Sequence, residues 1–194
     1  AGRDASHATR AAAAADVLAV LSKTPLTPGV MPVRHPWKAY SVQAAAVRLG
    51  VPCTGHPMFG HDIIYTHPLN HGAAIGRTAE RDFLAFAQQV AQLEGGVYLS
   101  VGSAVMSPMV FEKSLSMAQN LALQHGPAIS RHYLMVVDLA KGEWDWSQGE
   151  PPATSPAYYL RYCKTFSRMG GTMRYLSADN RDFFLALCQV LEVN

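Results

Sequence analysis

The stretch His132-Tyr133-Leu134-Met135-Val136-Val137-Asp138-Leu139, written HYLMVVDL, is apolar without a break between its first residue and its aspartate. A run of this kind, with no polar alternation, is expected of a strand covered on both faces, in the middle of a parallel sheet. On its amino side, residues 107–124 read as a helix. Ser107-Pro108 forms a cap and first-turn pair there, and Gly126 closes it. Before that helix stands a second strand, residues 97–101. It is preceded by an amphipathic helix over 78–93 with Thr78 as N-cap, Glu80 and Asp82 in its first turn, and Phe83, Phe86, Ala87 and Val90 on one face. On the carboxyl side, the loop GEWDWSQGEPPATSP leads to a segment around 158–166, a strand at 172–176 and a helix at 180–191. With a further short strand at 51–54, the alternation predicts neighbouring parallel strands with helices on both faces, an α/β doubly wound sheet.

The remaining sequence is helical and Pro-rich. Residues 8–22 are strong helix formers stopped at Thr24-Pro25, and Pro25, Pro28, Pro32 and Pro36 impose a loop. Residues 37–49 are helical again, with Gly50 as a left-handed cap. The expected organisation is an N-terminal helix and linker over 1–36 and one α/β domain over 37–194.

With 194 residues and 49% hydrophobic content, the chain can bury one sizeable core. A formal charge of +2, with acids and bases interspersed, argues against nucleic acid as a partner. Cys53, Cys163 and Cys188 are far apart and lack Cys-x-x-Cys spacing, which predicts neither a disulfide framework nor a thiolate metal site and fits a cytoplasmic location. The alanine-rich run 11–15 is too short to span a bilayer and lacks the plan of a signal peptide, so no membrane partner is expected.

Ligands of open parallel sheets gather outside the carboxyl ends of the strands. That rim would carry GHPMFGHD, Gly102-Ser103, the segment 138–149, and Ser177-Ala178-Asp179-Asn180. None contains a G-x-G-x-x-G. His56, His61, Asp62, His67 and His71 offer imidazoles and a carboxylate to a metal, but their spacing matches no familiar zinc pattern, and no metal site is expected. Lys164, in Tyr162-Cys163-Lys164-Thr165-Phe166, sits in an apolar aromatic context. Burial there would favour a neutral, nucleophilic amine, whereas a lysine reaching from a core helix to water is the plainer reading. Trp144 and Trp146 around Asp145 either wall a ligand or cover the sheet edge.

The order of these motifs resembles deoxyhypusine synthase over roughly residues 40–191. The helix, strand and GHDIIYTH are similar to the family's stretch running from "IPVF" to "GDMIYFH", which sets Asp62 and His67 on its aspartate and histidine. QLEGGVYLSVG resembles its glycine-rich strand, GEWDWSQG its "EFDGSDSG" loop, PAYYLRYCKTF its "PDEAVSWGKI", and LSADNRDFFLAL its "YADA" ending. The resemblance implies a Rossmann-like NAD-binding fold. It further implies Gly95, Gly96, Asp145, Ser147, Ala178 and Asp179 near the NAD, Asp62 near a substrate amine, Lys164 as an imine-forming lysine with Asp62 and His67 beside it, and a homo-oligomer. Ser100 stands where the family has a histidine, and Tyr158 and Tyr162 where it has a glutamate and a tryptophan.

The resemblance implies an NAD-dependent transferase or oxidoreductase, similar to deoxyhypusine and homospermidine synthases, that acts on a small amine or hydroxyl substrate. Two other classes remain open: a non-catalytic nucleotide- or sugar-binding module on the same fold, and a metal-dependent hydrolase using the histidine cluster.

Overall fold

The computed structural model describes residues 2–24 and 27–192, with side chains from His7 onward. Pro25, the expected helix stop, lies outside the described residues. The chain forms two compact units, Ala1–Ala85 and Phe86–Asn194.

In the first unit, α1 (Gly2–Leu21) extends further toward the amino terminus than expected. After a 3-10 turn at Lys38–Tyr40, α2 (Val42–Leu49) is capped by Ser41, whose hydroxyl accepts from the Ala44 N–H at 3.3 Å, and by Gly50 at φ 66°. The expected strand at 51–54 is not one. Its two ends are tied elsewhere: Val51 N donates to Ala46 O at the helix end, Pro52 has no N–H, and just beyond the segment Gly55 N donates to Asp82 Oδ2 at 2.7 Å.

The following helix also departs from expectation. It starts at Gly72 (α3, Gly72–Val90), where Ala74 N donates to His71 Nδ1. Thr78 is therefore not its N-cap. Its hydroxyl donates to the carbonyls of Ala74 and Ile75 inside the helix, and Glu80 and Asp82 lie mid-helix. Among its described residues, the first unit has none that is fully buried.

The second unit holds the core. It opens on the last turn of α3, where Ala87 and Val90 are buried on the expected face. β1 (Val97–Val101), β2 (Tyr133–Asp138) and β3 (Thr172–Ser177) form a parallel sheet in the order β1-β2-β3, so the HYLMVVDL strand is central. α4 (Met106–His125) connects β1 to β2, and the short α5 (Cys163–Ser167) precedes β3. α4 begins at Met106, one residue before the expected pair. Ser103 Oγ takes the Ser107 N–H at 2.9 Å, and Pro108 occupies the first turn, where no helical acceptor awaits its missing N–H. α6 (Asn180–Glu192) follows β3 and contacts β2.

One sheet face carries Tyr98, Leu134, Val136, Met173 and Tyr175 against Phe111 and Leu115 of α4 and Cys163 and Phe166 of α5. Trp146 is buried in the same cluster, so the Trp-rich loop closes the side of edge strand β3. Among the described residues, no helix is long and apolar enough to cross a membrane.

Two ionisable groups tie this core to pH. Burial pushes the His132 imidazole below its ordinary 6.5, against the opposing influence of Glu94 and the Gly170 backbone. Glu94 is held at about 2 by hydrogen bonds from the Arg131 side chain and from the backbone N–H groups of Arg131 and Ser130. A depressed histidine stabilises the fold while neutral, so its contribution fades as pH falls below 6.5. A depressed carboxylate contributes above its unfolded value and loses that contribution as pH falls from 4.5 toward about 2. Urea midpoints should therefore decline on acidification through both ranges, and His132→Gln should reduce the loss just below pH 6.5 while leaving that below 4.5 in place.

Candidate functional site at the carboxyl edge of the sheet

Each strand of a parallel sheet ends in a loop that leaves from the same edge, and here those loops supply Gly102-Ser103, Asp138 to Ala140, and Ser177 to Asn180. The ladder extends into them: Gly102 N donates to Val137 O and Ala178 N to Asp138 O, both at 3.0 Å. Gly102 has φ 68°, and a Cβ there would strike the Asn180 side-chain amide. Only glycine lets that amide lie across the end of β1. Asn180 Oδ1 is buried there without a hydrogen-bond partner among the described residues, an acceptor suited to a ligand hydroxyl or N–H.

Asp138 is only 7% exposed. Its Oδ1 accepts from Ala140 N at 2.9 Å and from Arg161 Nε at 3.0 Å. Arg161 and Tyr162 both have left-handed backbones, at φ 45° and 52°, in a sharp break between the 3-10 turns of Pro156–Tyr162 and α5. Such conformations cost non-glycine residues about 1–2 kcal/mol each and collect at ligand sites. The Asp138 charge and burial together act on the neighbours. Burial first, then Asp138, pushes the Cys163 thiol up to about 12, which makes it inert as a nucleophile. The same two causes, in the same order, raise the Tyr175 phenol to about 12, and that phenol donates to Ala140 O at 2.7 Å.

The expected cofactor residues do not all meet at this edge. Ala178 and Asp179 do. Asp179 accepts from Arg181 N at 2.8 Å and pairs with the Arg181 guanidinium, which holds its carboxyl below the usual range. Gly95 and Gly96 precede β1 and lie at the opposite, amino edge, where Gly95 N donates to Arg131 O. Asp145 and Ser147 satisfy one another: Asp145 Oδ1 takes both the N–H and the hydroxyl of Ser147, at 3.0 and 2.7 Å, and these bonds lower the carboxyl.

Lys164 lies in the first turn of α5. Its Nζ stands 4.1 Å from the Tyr158 ring centroid and 4.5 Å from that of Tyr159, two ring faces that attract a cation. Glu150, held low chiefly by its bidentate pair with Arg168, also feels the Lys164 charge. Ser100 is buried within β1, and Tyr162 stands half-exposed beside Arg161.

The histidine-rich stretch belongs to the first unit and is held by its own side chains. Asp62 Oδ2 accepts from Met58 N at 2.6 Å, closing the PMFGHD turn. His56 Nε2 bonds Thr54 Oγ1, while the Nδ1 atoms of His67 and His71 accept from Leu69 N and Ala74 N. Among the described residues, no three His, Cys, Asp or Glu side chains converge as a metal site would require. His67 instead lines an apolar groove of about 700 Å³ with Val20, Ile63 and Ile75.

Sequence reasoning missed Arg161. Its partner Asp138 is 23 residues away, and nothing local marks an arginine that will adopt a left-handed backbone. The searches against family models, curated proteins and solved structures found no match to this chain.

Proposed function

We propose that the carboxyl edge of the second unit binds a dinucleotide of the NAD type, and that the chain is a transferase or oxidoreductase similar to deoxyhypusine and homospermidine synthases, acting on a small amine or hydroxyl substrate. The supporting observation is Arg161: strained, anchored through Nε to Asp138, and with its terminal nitrogens outside that bond. A guanidinium fixed through Nε keeps its two terminal nitrogens, with four N–H donors, for a pyrophosphate. The three-stranded parallel sheet, in the order β1-β2-β3 with Gly102-Ser103 after its first strand, supports this reading, since a mononucleotide-binding half of a doubly wound sheet is built on three such strands. Asn180 Oδ1 and the segment 178–179 fit the ribose side of such a ligand. Gly95, Gly96, Asp145 and Ser147 do not contribute to that fit, since the first two lie at the other edge and the last two are bonded to each other. NAD would supply the hydride acceptor.

The Lys164 ammonium between two tyrosine rings favours a second reading, a binding module without covalent chemistry. One experiment separates them. NAD titrated calorimetrically should bind the wild-type chain and bind Arg161→Ala at least about tenfold more weakly, the usual scale for loss of a charge-assisted bond. No NAD binding retires the cofactor assignment. Borohydride reduction in the presence of NAD and a polyamine, followed by mass spectrometry, should leave an adduct on Lys164. NAD binding without that adduct selects the non-catalytic module.

A further inference from the structure

Between Asp16 and Asp62 the sequence contains no acidic residue, yet it carries Lys23, Arg34, Lys38 and Arg48. The even mixture of charges across the whole chain conceals this stretch. In the first unit the loop 34–37, the Lys38–Tyr40 turn and α2 enclose an open groove of about 960 Å³. Arg34, His35, Trp37, Lys38, Gln43 and Arg48 are among its lining residues. Arg34, Lys38 and Arg48 make no ion pair among the described residues.

Three carboxylates of the unit are engaged elsewhere in it, and the exposed Glu80 forms no ion pair with these cations among the described residues. Asp16 pairs with Arg77 at 3.2 Å, Asp62 takes the Met58 N–H, and Asp82 takes the Gly55 N–H. Trp37 is 74% exposed, and its ring lies 6.3 Å from that of Tyr40, at a tilt that leaves it unstacked. The indole and the three cations line one concavity, a combination suited to a ligand that is planar at one end and polyanionic at the other.

We infer that this groove is a binding site for a nucleoside polyphosphate, with Trp37 stacking on the base and Arg34, Lys38 and Arg48 neutralising the phosphate chain. Each part of the site answers one part of the ligand. Indole is the strongest stacking surface among side chains, and every base presents a π-face to it. Arginine guanidinium groups present forked donors that match phosphate oxygens, and lysine adds a mobile point charge. Gln43 offers both an amide donor and an acceptor to the edge of a base. A free phosphate would need no indole, and an uncharged nucleoside would need no cations, so the two halves together select the ligand class. This inference rests on the first unit alone and not on the NAD assignment at the sheet edge.

The test uses the whole chain and three probes: ATP, adenosine and inorganic triphosphate, each titrated by calorimetry. ATP should bind at least about tenfold more tightly than either of the others, the scale expected of one base stack or of several phosphate contacts. Arg34→Ala combined with Arg48→Ala should weaken ATP and triphosphate together and flatten the dependence of ATP affinity on salt. Trp37→Ala should abolish the preference for ATP over triphosphate while leaving triphosphate binding unchanged. All three side chains are exposed, so these variants keep the fold, and circular dichroism verifies it. Arg161→Ala, which acts at the other site, should leave ATP binding at the groove intact. The inference is overturned if ATP shows no binding up to about 1 mM, if triphosphate binds as tightly as ATP, or if the Trp37 and arginine variants bind ATP like the wild type.

Discussion

Phe111→Ala should cost about 3–5 kcal/mol of unfolding free energy, the range for removing a fully buried aromatic ring. Phe111 has no exposed surface. Its ring centroid is 4.4 Å from Tyr98, 5.7 Å from Phe166 and 6.3 Å from His132, so it joins β1, α5 and the residue that leads into β2 at one point. Truncation leaves a void walled by three other rings, which are bound to separate elements and cannot all move in to fill it. Against a typical total stability of about 5–15 kcal/mol, the loss is a large fraction. It should appear as a lower urea midpoint with an unchanged slope. Leu121, on the same helix but 59% exposed, is the control, and Leu121→Ala should change stability by no more than about 0.5 kcal/mol. If Phe111→Ala were as mild as the control, α4 would not be packed on the sheet as described.

Gly171→Ala should be nearly as damaging, at about 2–4 kcal/mol, through backbone strain and overpacking together. Gly171 has φ 72°, and a Cβ added there would lie against the His132 carbonyl oxygen and the His132 ring. That carbonyl accepts from Thr172 N at 2.9 Å, the contact that sets β3 beside β2. The new methyl group must therefore displace either the ladder or a buried imidazole. Gly170 supplies the comparison. Its φ is 79°, but a Cβ there would meet nothing within 4 Å, so Gly170→Ala should cost only the backbone strain, about 1 kcal/mol. Thermal unfolding of the two variants separates the terms, and equal effects would mean that the close approach to His132 carries no energy.

Much of the second unit was legible in advance because its signals are local. HYLMVVDL could bury both faces only in a central strand, and it is central. The strands at 97–101 and 172–176 and the close of α4 at Gly126 were marked by apolar runs and by glycines at their ends. Where local signals competed, tertiary contacts decided between them. Thr78 has a good N-cap side chain, but Gly72 to Arg77 already form a helix, and inside a helix a threonine hydroxyl turns to a carbonyl one turn back. The segment 51–54 has strand-forming residues, but a strand exists only through its partner, and here Val51 N is taken by a helix end, Pro52 has no N–H, and Gly55 N just beyond the segment is taken by Asp82.

The candidate site divides in the same way. The residue types at the ends of the strands, Gly102, Asp138 and the run 177–180, could be placed from sequence because a parallel sheet sends every strand out at the same edge. The amino-edge position of Gly95 and Gly96, the mutual satisfaction of Asp145 and Ser147, and the rings around Lys164 depend on distances between atoms. So do the Arg161 contact with Asp138 and the Asn180 amide over Gly102. In the second unit the sequence by itself determined which segments are strands and which loops leave the sheet together, because backbone hydrogen bonding and apolar periodicity act over a few residues. Only the tertiary structure decided which polar groups find partners and which are left for a ligand, because that choice is made by side chains far apart in the chain competing for the same few donors and acceptors.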